Sequence, residues 1–273
     1  MTLGGHISPR VRGAVVTVGR VSAPATDLPD VSGRTAIITG ASGGLGAGIA
    51  ARFAERGVRL ALCARTEPTL PDGATGTTAS VDVTDARAVA DWVAGAAAAL
   101  GPLDLCVANA GILGPLGPLR DDDPDEVAAA FRTNVEGLAH TAAAYARHVR
   151  GRPAGGAFLA ISSGAGRNPT AGWAPYAASK AAVDALCLAL AEEEADTALR
   201  VVAVAPGVVD TGMQEAIRAS TPEAFPRHEQ FVRMKTDETF NTSGYVADHL
   251  LRLAFAPEPG DDDVLVRLPA EER

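Results

Sequence analysis

The chain lacks the features that mark several common classes of protein. It has only three cysteines, Cys63, Cys106 and Cys187, in 273 residues. Their number is odd, they lie far apart and each sits in an apolar run. A disulfide framework is therefore excluded, and buried free thiols in a reducing, cytoplasmic setting are expected. No His/Cys group has metal-ligand spacing; His140 and His148 read as helix-surface residues, so no metal is expected. No apolar run approaches the ~20 residues that cross a bilayer, so no membrane partner is expected. A dense basic run is also missing. The net charge is −9, with acidic clusters at "DDDPDE" (121–126), "EEEAD" (192–196) and "DDD" (261–263). Nucleic acid is disfavoured as a partner, and an anionic cofactor would have to be held by local groups.

What is present suits one large globular domain: 47% of residues are apolar and 21% charged. Residues 1–32 look like a flexible N-terminal extension; residues 1–26 carry Arg10, Arg12 and Arg20 and no acid. From residue 33 to 273 short β-rich runs alternate with helical patterns. Strands are expected at 35–39, 58–64, 79–83, 103–110, 156–163, 199–206 and 263–268. Helices are expected at 46–57, 85–100 (with Thr84 as a possible cap), 124–149 and 174–195. Near-continuous apolar strands separated by helices predict a single Rossmann-type, doubly wound parallel α/β sheet with helices on both faces. The stretch 208–243 breaks this rhythm and reads as a substrate loop over one end of the sheet.

The first strand of the domain runs into "TGASGGLG" (39–46), and a helix follows. Gly40, Gly44 and Gly46 permit a tight turn and a close ligand, and the helix N-terminus offers free N–H groups to a pyrophosphate. The ending of a nucleoside-triphosphate loop is missing. At the end of the next strand stands "CARTE" (63–67). A carboxylate there would bind a ribose 2′-hydroxyl, whereas an arginine accommodates a 2′-phosphate. Arg65 and Thr66 thus favour NADP(H), with NAD(H) left open. Asp82, followed by Val83, could accept from an adenine amino group or cap the next helix.

"PYAASKA" (175–181) places Tyr176 and Lys180 four apart, on one helix face. An ammonium near a phenol should lower the phenol's pKa and equip it for proton transfer. That pair alone recurs on many surface helices. "ISSGAG" (161–166) puts Ser163 thirteen residues before Tyr176, "ANAG" (108–111) closes another strand, and Asn134 sits mid-helix, where asparagine is mildly unfavourable.

In this order, "TGASGGLG", "ANAG", Asn134, "ISS", "YAASK" and "PG" (206–207) resemble the short-chain dehydrogenase/reductase family, over about residues 33 to 268. The resemblance implies Tyr176 as general acid, Lys180 as anchor of the nicotinamide ribose, and Ser163, rather than Ser162, as donor to the substrate oxygen. Asn134 would fix a water next to Lys180. Gly40, Ser42, Gly44, Leu45, Gly46, Asn109, Ala110 and Gly111 would line the cofactor, and Pro206, Gly207, Val209 and Thr211 would flank its nicotinamide. The helices at 137–149 and 181–191 would form the contact of a homodimer or homotetramer. The sequence departs from the family between Arg65 and Asp82, where the usual helix looks trimmed. It also has Gly43 where many NADP members carry a base.

"PGVVDTGMQ" with the later "F..MK......S.Y.A..LL" resembles the sepiapterin reductase and benzil reductase branch. That likeness implies NADPH-dependent reduction of a ketone or vicinal diketone, with Trp173, Met213, Ile217 and Phe231, and also Phe225, as an apolar pocket. Two alternatives stay open: an NAD-dependent secondary-alcohol dehydrogenase, and a dinucleotide sensor without catalysis.

Overall fold

The computed structural model describes residues 19–20, 28–257 and 263–272. Its elements run β1 Gly19–Arg20, β2 Thr35–Thr39, α1 Gly44–Glu55, β3 Arg59–Ala64, β4 Gly76–Ser80, α2 Ala86–Leu100, β5 Leu105–Ala108 and α3 Pro124–Phe131. They continue with α4 Gly137–Val149, β6 Gly156–Ile161, α5 Ala174–Glu193, β7 Leu199–Ala205, α6 Gly212–Ala219, α7 His228–Thr236, α8 Ser243–Phe255 and β8 Leu265–Arg267. The strands form one sheet in the order β1-β8-β7-β6-β5-β2-β3-β4, and every pairing is parallel.

Alternate strand residues serve opposite faces. Ala36, Ile38, Leu60 and Leu62 pack with Ile49 and Phe53 of α1 and Val246 and Leu250 of α8. Ile37, Ala61 and Cys63 pack on the other side with Trp92 of α2, Tyr145 of α4 and Cys187 of α5. Both faces are covered, which is why the strands read as unbroken apolar runs. The three cysteines are buried and free, and burial alone pushes the Cys63 thiol up, beyond ready ionisation. The sheet reverses its winding between β2 and β5, and in such sheets ligands bind outside the carboxyl ends of the strands at that point.

Several sequence expectations shift. The strand expected at 79–83 is β4, Gly76–Ser80, because Gly76–Ser80 pair with Leu60–Ala64. Val81 and Val83 are buried from the loop beyond it. Asp85, not Thr84, caps α2, accepting from the amides of Arg87 and Ala88. The helix expected at 124–149 is interrupted by a π turn, Arg132–Glu136. The stretch 208–243 holds two helices, α6 and α7. Most of the expected 1–32 extension lies outside the described residues; within it β1 pairs with β8, and Val31 is buried in the core. No described helix is long and apolar enough to cross a membrane.

Candidate active site

At the switch point the carboxyl end of β2 bends into the glycine loop. Gly40 has φ +68°, and a Cβ there would lie 2.8 Å from the Ala110 Cα. A Cβ on Gly46 would lie 2.3 Å from the Gly40 carbonyl oxygen and 2.5 Å from Asn109 Nδ2. The loop therefore folds back on the first turn of α1 with no room for a side chain at Gly40 or Gly46. No side chain caps α1 and no acid stands in its first turn, so its amides and positive dipole end are free for an anion.

Asn109 does not point out towards a ligand. Its Nδ2 donates to the carbonyls of Thr39 (3.0 Å) and Gly40 (3.1 Å), which ties β5 to the glycine loop. Thr39 completes the tie, its Oγ1 accepting from the amides of Asn109 and Ala110, each at 3.0 Å. Thr39 escaped sequence reading because a threonine at a strand end is indistinguishable from a β-former.

Two connected clefts leave this loop. One is lined by Ser42, Gly43, Arg65, Thr66, Asp82, Val83 and Ala110, among others. Arg65 and Thr66 are exposed at its rim. Asp82 accepts from the amide and hydroxyl of Thr84; these bonds, with help from the Arg65 charge, hold its carboxyl below the ordinary range. Glu67, the nearest acid after Arg65, is turned to Thr78 at 2.6 Å. The second cleft, of about 310 Å³, shares Gly40, Gly43, Ala110 and Gly111 with the first. It is lined further by Leu45, Asn109, Ser163, Trp173, Tyr176, Lys180, Pro206, Gly207, Val209, Thr211, Met213, Gln214 and Phe231. Open amides at a glycine loop, a guanidinium at one end and a buried phenol at the other fit an extended dinucleotide. Gly46 lies under the loop, outside both linings.

The π turn explains Asn134. It sets that side chain, 2% exposed, against β5's extension: Oδ1 accepts from the Ile112 amide (2.8 Å), and Nδ2 donates to the Ile112 carbonyl and to Ser179 Oγ, each at 2.9 Å. Ser179 Oγ in turn donates to the Tyr176 carbonyl at 2.8 Å. Local π turns often occur where a functional side chain must be re-aimed.

On α5, Tyr176 and Lys180 are both buried. Lys180 Nζ donates to the Ile161 carbonyl at 2.7 Å and lies 5.8 Å from the Tyr176 ring centre. Burial pulls the Lys180 ammonium down to about 8, with Asp184 working in the opposite direction. Burial also pushes the Tyr176 phenol above its usual value, and its hydrogen bond with Ser163 opposes that push. The expectation of a phenol lowered by Lys180 is thus corrected for the free chain. Desolvation outweighs the Ser163 hydrogen bond, and the ammonium donates its hydrogen bond to the Ile161 carbonyl. Ser162 is buried and gives its hydroxyl hydrogen bond to Asp184, whereas Ser163 meets the phenol.

The far wall is aromatic in a chain with only 4% aromatic residues. Trp173 stacks within 4.8–5.8 Å of Tyr176, Phe225 and Phe231. Trp173, Met213 and Phe231 line the cleft; Ile217 and Phe225 are fully buried behind them. Asn241 was not foreseen. Its Nδ2 donates to the carbonyls of Pro206 (2.8 Å) and Pro269 (3.1 Å), pinning the "PG" loop from a position with no recognisable motif.

Fold and cleft together define a dinucleotide-dependent oxidoreductase. The family model described as short chain dehydrogenase matches residues 34–222. The chain belongs to the short-chain dehydrogenase/reductase family and is an NAD(P)-dependent oxidoreductase.

Among similar proteins, gluconate 5-dehydrogenase of Gluconobacter oxydans is 35% identical over 205 residues, covering 71% of this chain and 78% of that protein. Versicolorin reductase 1 of Aspergillus parasiticus is 31% identical over 222 residues, covering 78% and 82%. Benzil reductase of Bacillus cereus is 30% identical over 159 residues, covering 58% of this chain; the chain spans 64% of that relative. The KRED1-Pglu crystal structure is similar at 27% identity with a TM-score of 0.77, covering 85% of this chain and 99% of that one.

Proposed function

We propose that the chain is an NADPH-dependent reductase of ketones, vicinal diketones among them. The observation that carries this is the contrast between the two ends of the cleft: Arg65 at one, with Glu67 turned to Thr78 and Asp82 to Thr84, and the Tyr176–Ser163 pair under an apolar wall at the other. When bound, the cofactor supplies the hydride. The chain's own part is orientation and proton supply. Arg65 and Thr66 hold the 2′-phosphate, and the α1 amides hold the pyrophosphate. Lys180 anchors the ribose. Ser163 donates to the carbonyl oxygen, and Tyr176 passes its proton to that oxygen as charge develops there. A phenol kept above its usual pKa by burial stays protonated at neutral pH, which suits the reductive direction. Trp173, Met213 and Phe231 exclude water and favour apolar ketones.

The assembly is read as a homodimer or homotetramer through α4 and α5. Their outer faces share a shallow apolar groove that includes Ala142, Ala146, Leu186 and Leu190. A cytoplasmic setting is part of the same reading, with no nucleic acid or membrane involved. The test is oxidation of NADPH and NADH in the presence of benzil, a diacetyl-type dione, a quinone and a side-chain diketone. Turnover of a dione with NADPH supports the reading. Silence towards every carbonyl, in a chain that binds NADPH tightly, moves the weight to a specialised biosynthetic substrate or to a sensor.

A further inference from the structure

The α5 helix carries a third polar residue on the Tyr176 face. Asp184 follows Lys180 by four positions, so Tyr176, Lys180 and Asp184 form one stripe. Each meets a successive part of the end of β6. Lys180 Nζ donates to the Ile161 carbonyl at 2.7 Å, Ser162 Oγ donates to Asp184 Oδ1 at 2.5 Å, and Ser163 hydrogen-bonds the Tyr176 phenol. The second Asp184 oxygen stands 3.2 Å from Arg167 Nε, close enough for an ion pair though not aligned as a hydrogen bond.

Arg167 ends the one-turn 3-10 helix Gly164–Gly166 that begins immediately after Ser163. That turn lies against α5 at the same height. A Cβ on Gly166 would stand 2.7 Å from both the Lys180 carbonyl carbon and the Ala181 nitrogen. Asp184 therefore grips the chain on both sides of Ser163, at Ser162 before it and Arg167 after it. Asp184 is 5% exposed, and Ser162 is 2% exposed. A buried carboxylate is costly, and here it is retained with two partners, of which Arg167 lies outside the cleft and Ser162 sits in its floor beside Ser163.

We propose that Asp184 is a positioning residue: by holding Ser162 and Arg167 it fixes the Ser163 hydroxyl against Tyr176, and by its charge it keeps the Lys180 ammonium in place. The charged and titratable groups that face Lys180 are Tyr176, Asp184 and Cys187 on α5, with Arg167 beyond Asp184 on the 3-10 turn. Asp184 and Cys187 favour the protonated lysine, and burial opposes them. Asp184 is itself buried, and Ser162, Arg167 and Lys180 offset the upward push of that burial.

The turnover arm of the test rests on the reductase reading; the lysine arm does not. The chain holds only two lysines, Lys180 and Lys235, so NMR of lysine-labelled protein gives two side-chain signals. The Lys235→Arg variant assigns them. In the parent the Lys180 signal should titrate near 8; in Asp184→Asn it should titrate at lower pH. In the same variant kcat should fall about tenfold or more, as a misplacement near 1 Å can do, while the KM for NADPH stays within about twofold. Asp184→Glu should restore part of the loss. Ser162→Ala keeps the charge, so it should lower kcat and leave the lysine midpoint in place. An unmoved Lys180 midpoint in Asp184→Asn overturns the electrostatic half, and parent-level kcat in a folded Ser162→Ala overturns the gripping half. Should Asp184→Asn fail to fold, Arg167→Gln with Ser162→Ala decides the matter, and normal kcat in both overturns the proposal. A shifted lysine midpoint in a chain that reduces no ketone supports the electrostatic half and overturns the reductase reading alone.

Discussion

Asn134 and Ser179 are joined by a hydrogen bond from Nδ2 to Oγ at 2.9 Å, and through Ser179 the π turn is linked to the backbone of Tyr176. One asparagine amide thus ties the segment after β5 to the helix that carries Tyr176. Asn134→Leu leaves the amide and carbonyl of Ile112 without their partner. Each orphaned buried group costs about 1–3 kcal/mol. The variant should lose about 2–3 kcal/mol of stability, read as a lower denaturant midpoint with an unchanged slope. An unshifted midpoint would mean that water replaces the amide.

Tyr176→Phe removes only the hydroxyl. The ring still packs on Trp173 at 5.6 Å. The variant should bind NADPH as the parent does and lose ~10²–10⁴ in turnover, the usual worth of a positioned acid. Titration of cofactor fluorescence beside steady-state rates separates the two. Near-parent turnover would remove Tyr176 from the acid's role.

Arg65→Asp places a carboxylate where the proposed function puts the 2′-phosphate. The ratio of kcat/KM with NADPH to that with NADH should drop at least tenfold, and the salt sensitivity of NADPH binding should weaken with it. An unchanged ratio would put the 2′-phosphate contact elsewhere on the rim formed by Ser42, Gly43 and Thr66.

Much of this was legible in the sequence because the relevant signals are local. Thr35–Thr39 and its glycine loop are contiguous, and Tyr176 and Lys180 share a face by simple periodicity. β4 was misplaced because Val81 and Val83 carry the apolar signal although they lie beyond the paired residues. The ties made by Thr39, Ser179, Asn241 and Asp184 join elements distant in sequence, with residue types that are ordinary where they stand. The direction of the Tyr176 shift was missed for a related reason. Spacing shows that an ammonium is near, but burial of the phenol depends on Trp173 and the α6–α7 segment folding over it.

The last prediction concerns pH and Lys180. Its pKa falls from the ordinary 10.5 to about 8 on folding, chiefly through desolvation. Between about pH 8 and 10.5 the unfolded chain therefore binds a proton that the folded chain has released, so stability contributed at this residue rises with pH across that window and is least below pH 8. Activity runs the other way. On the proposed role of Lys180 as the ribose anchor, its ammonium is lost as pH passes about 8, so kcat/KM for carbonyl reduction should fall on the alkaline side with a midpoint near 8. Stability measured by denaturant at pH 7 and 9.5 should not follow that fall. A common decline of rate and stability would show that the alkaline limb reports unfolding rather than Lys180. A rate that held level to pH 10 would place the anchoring charge on another group.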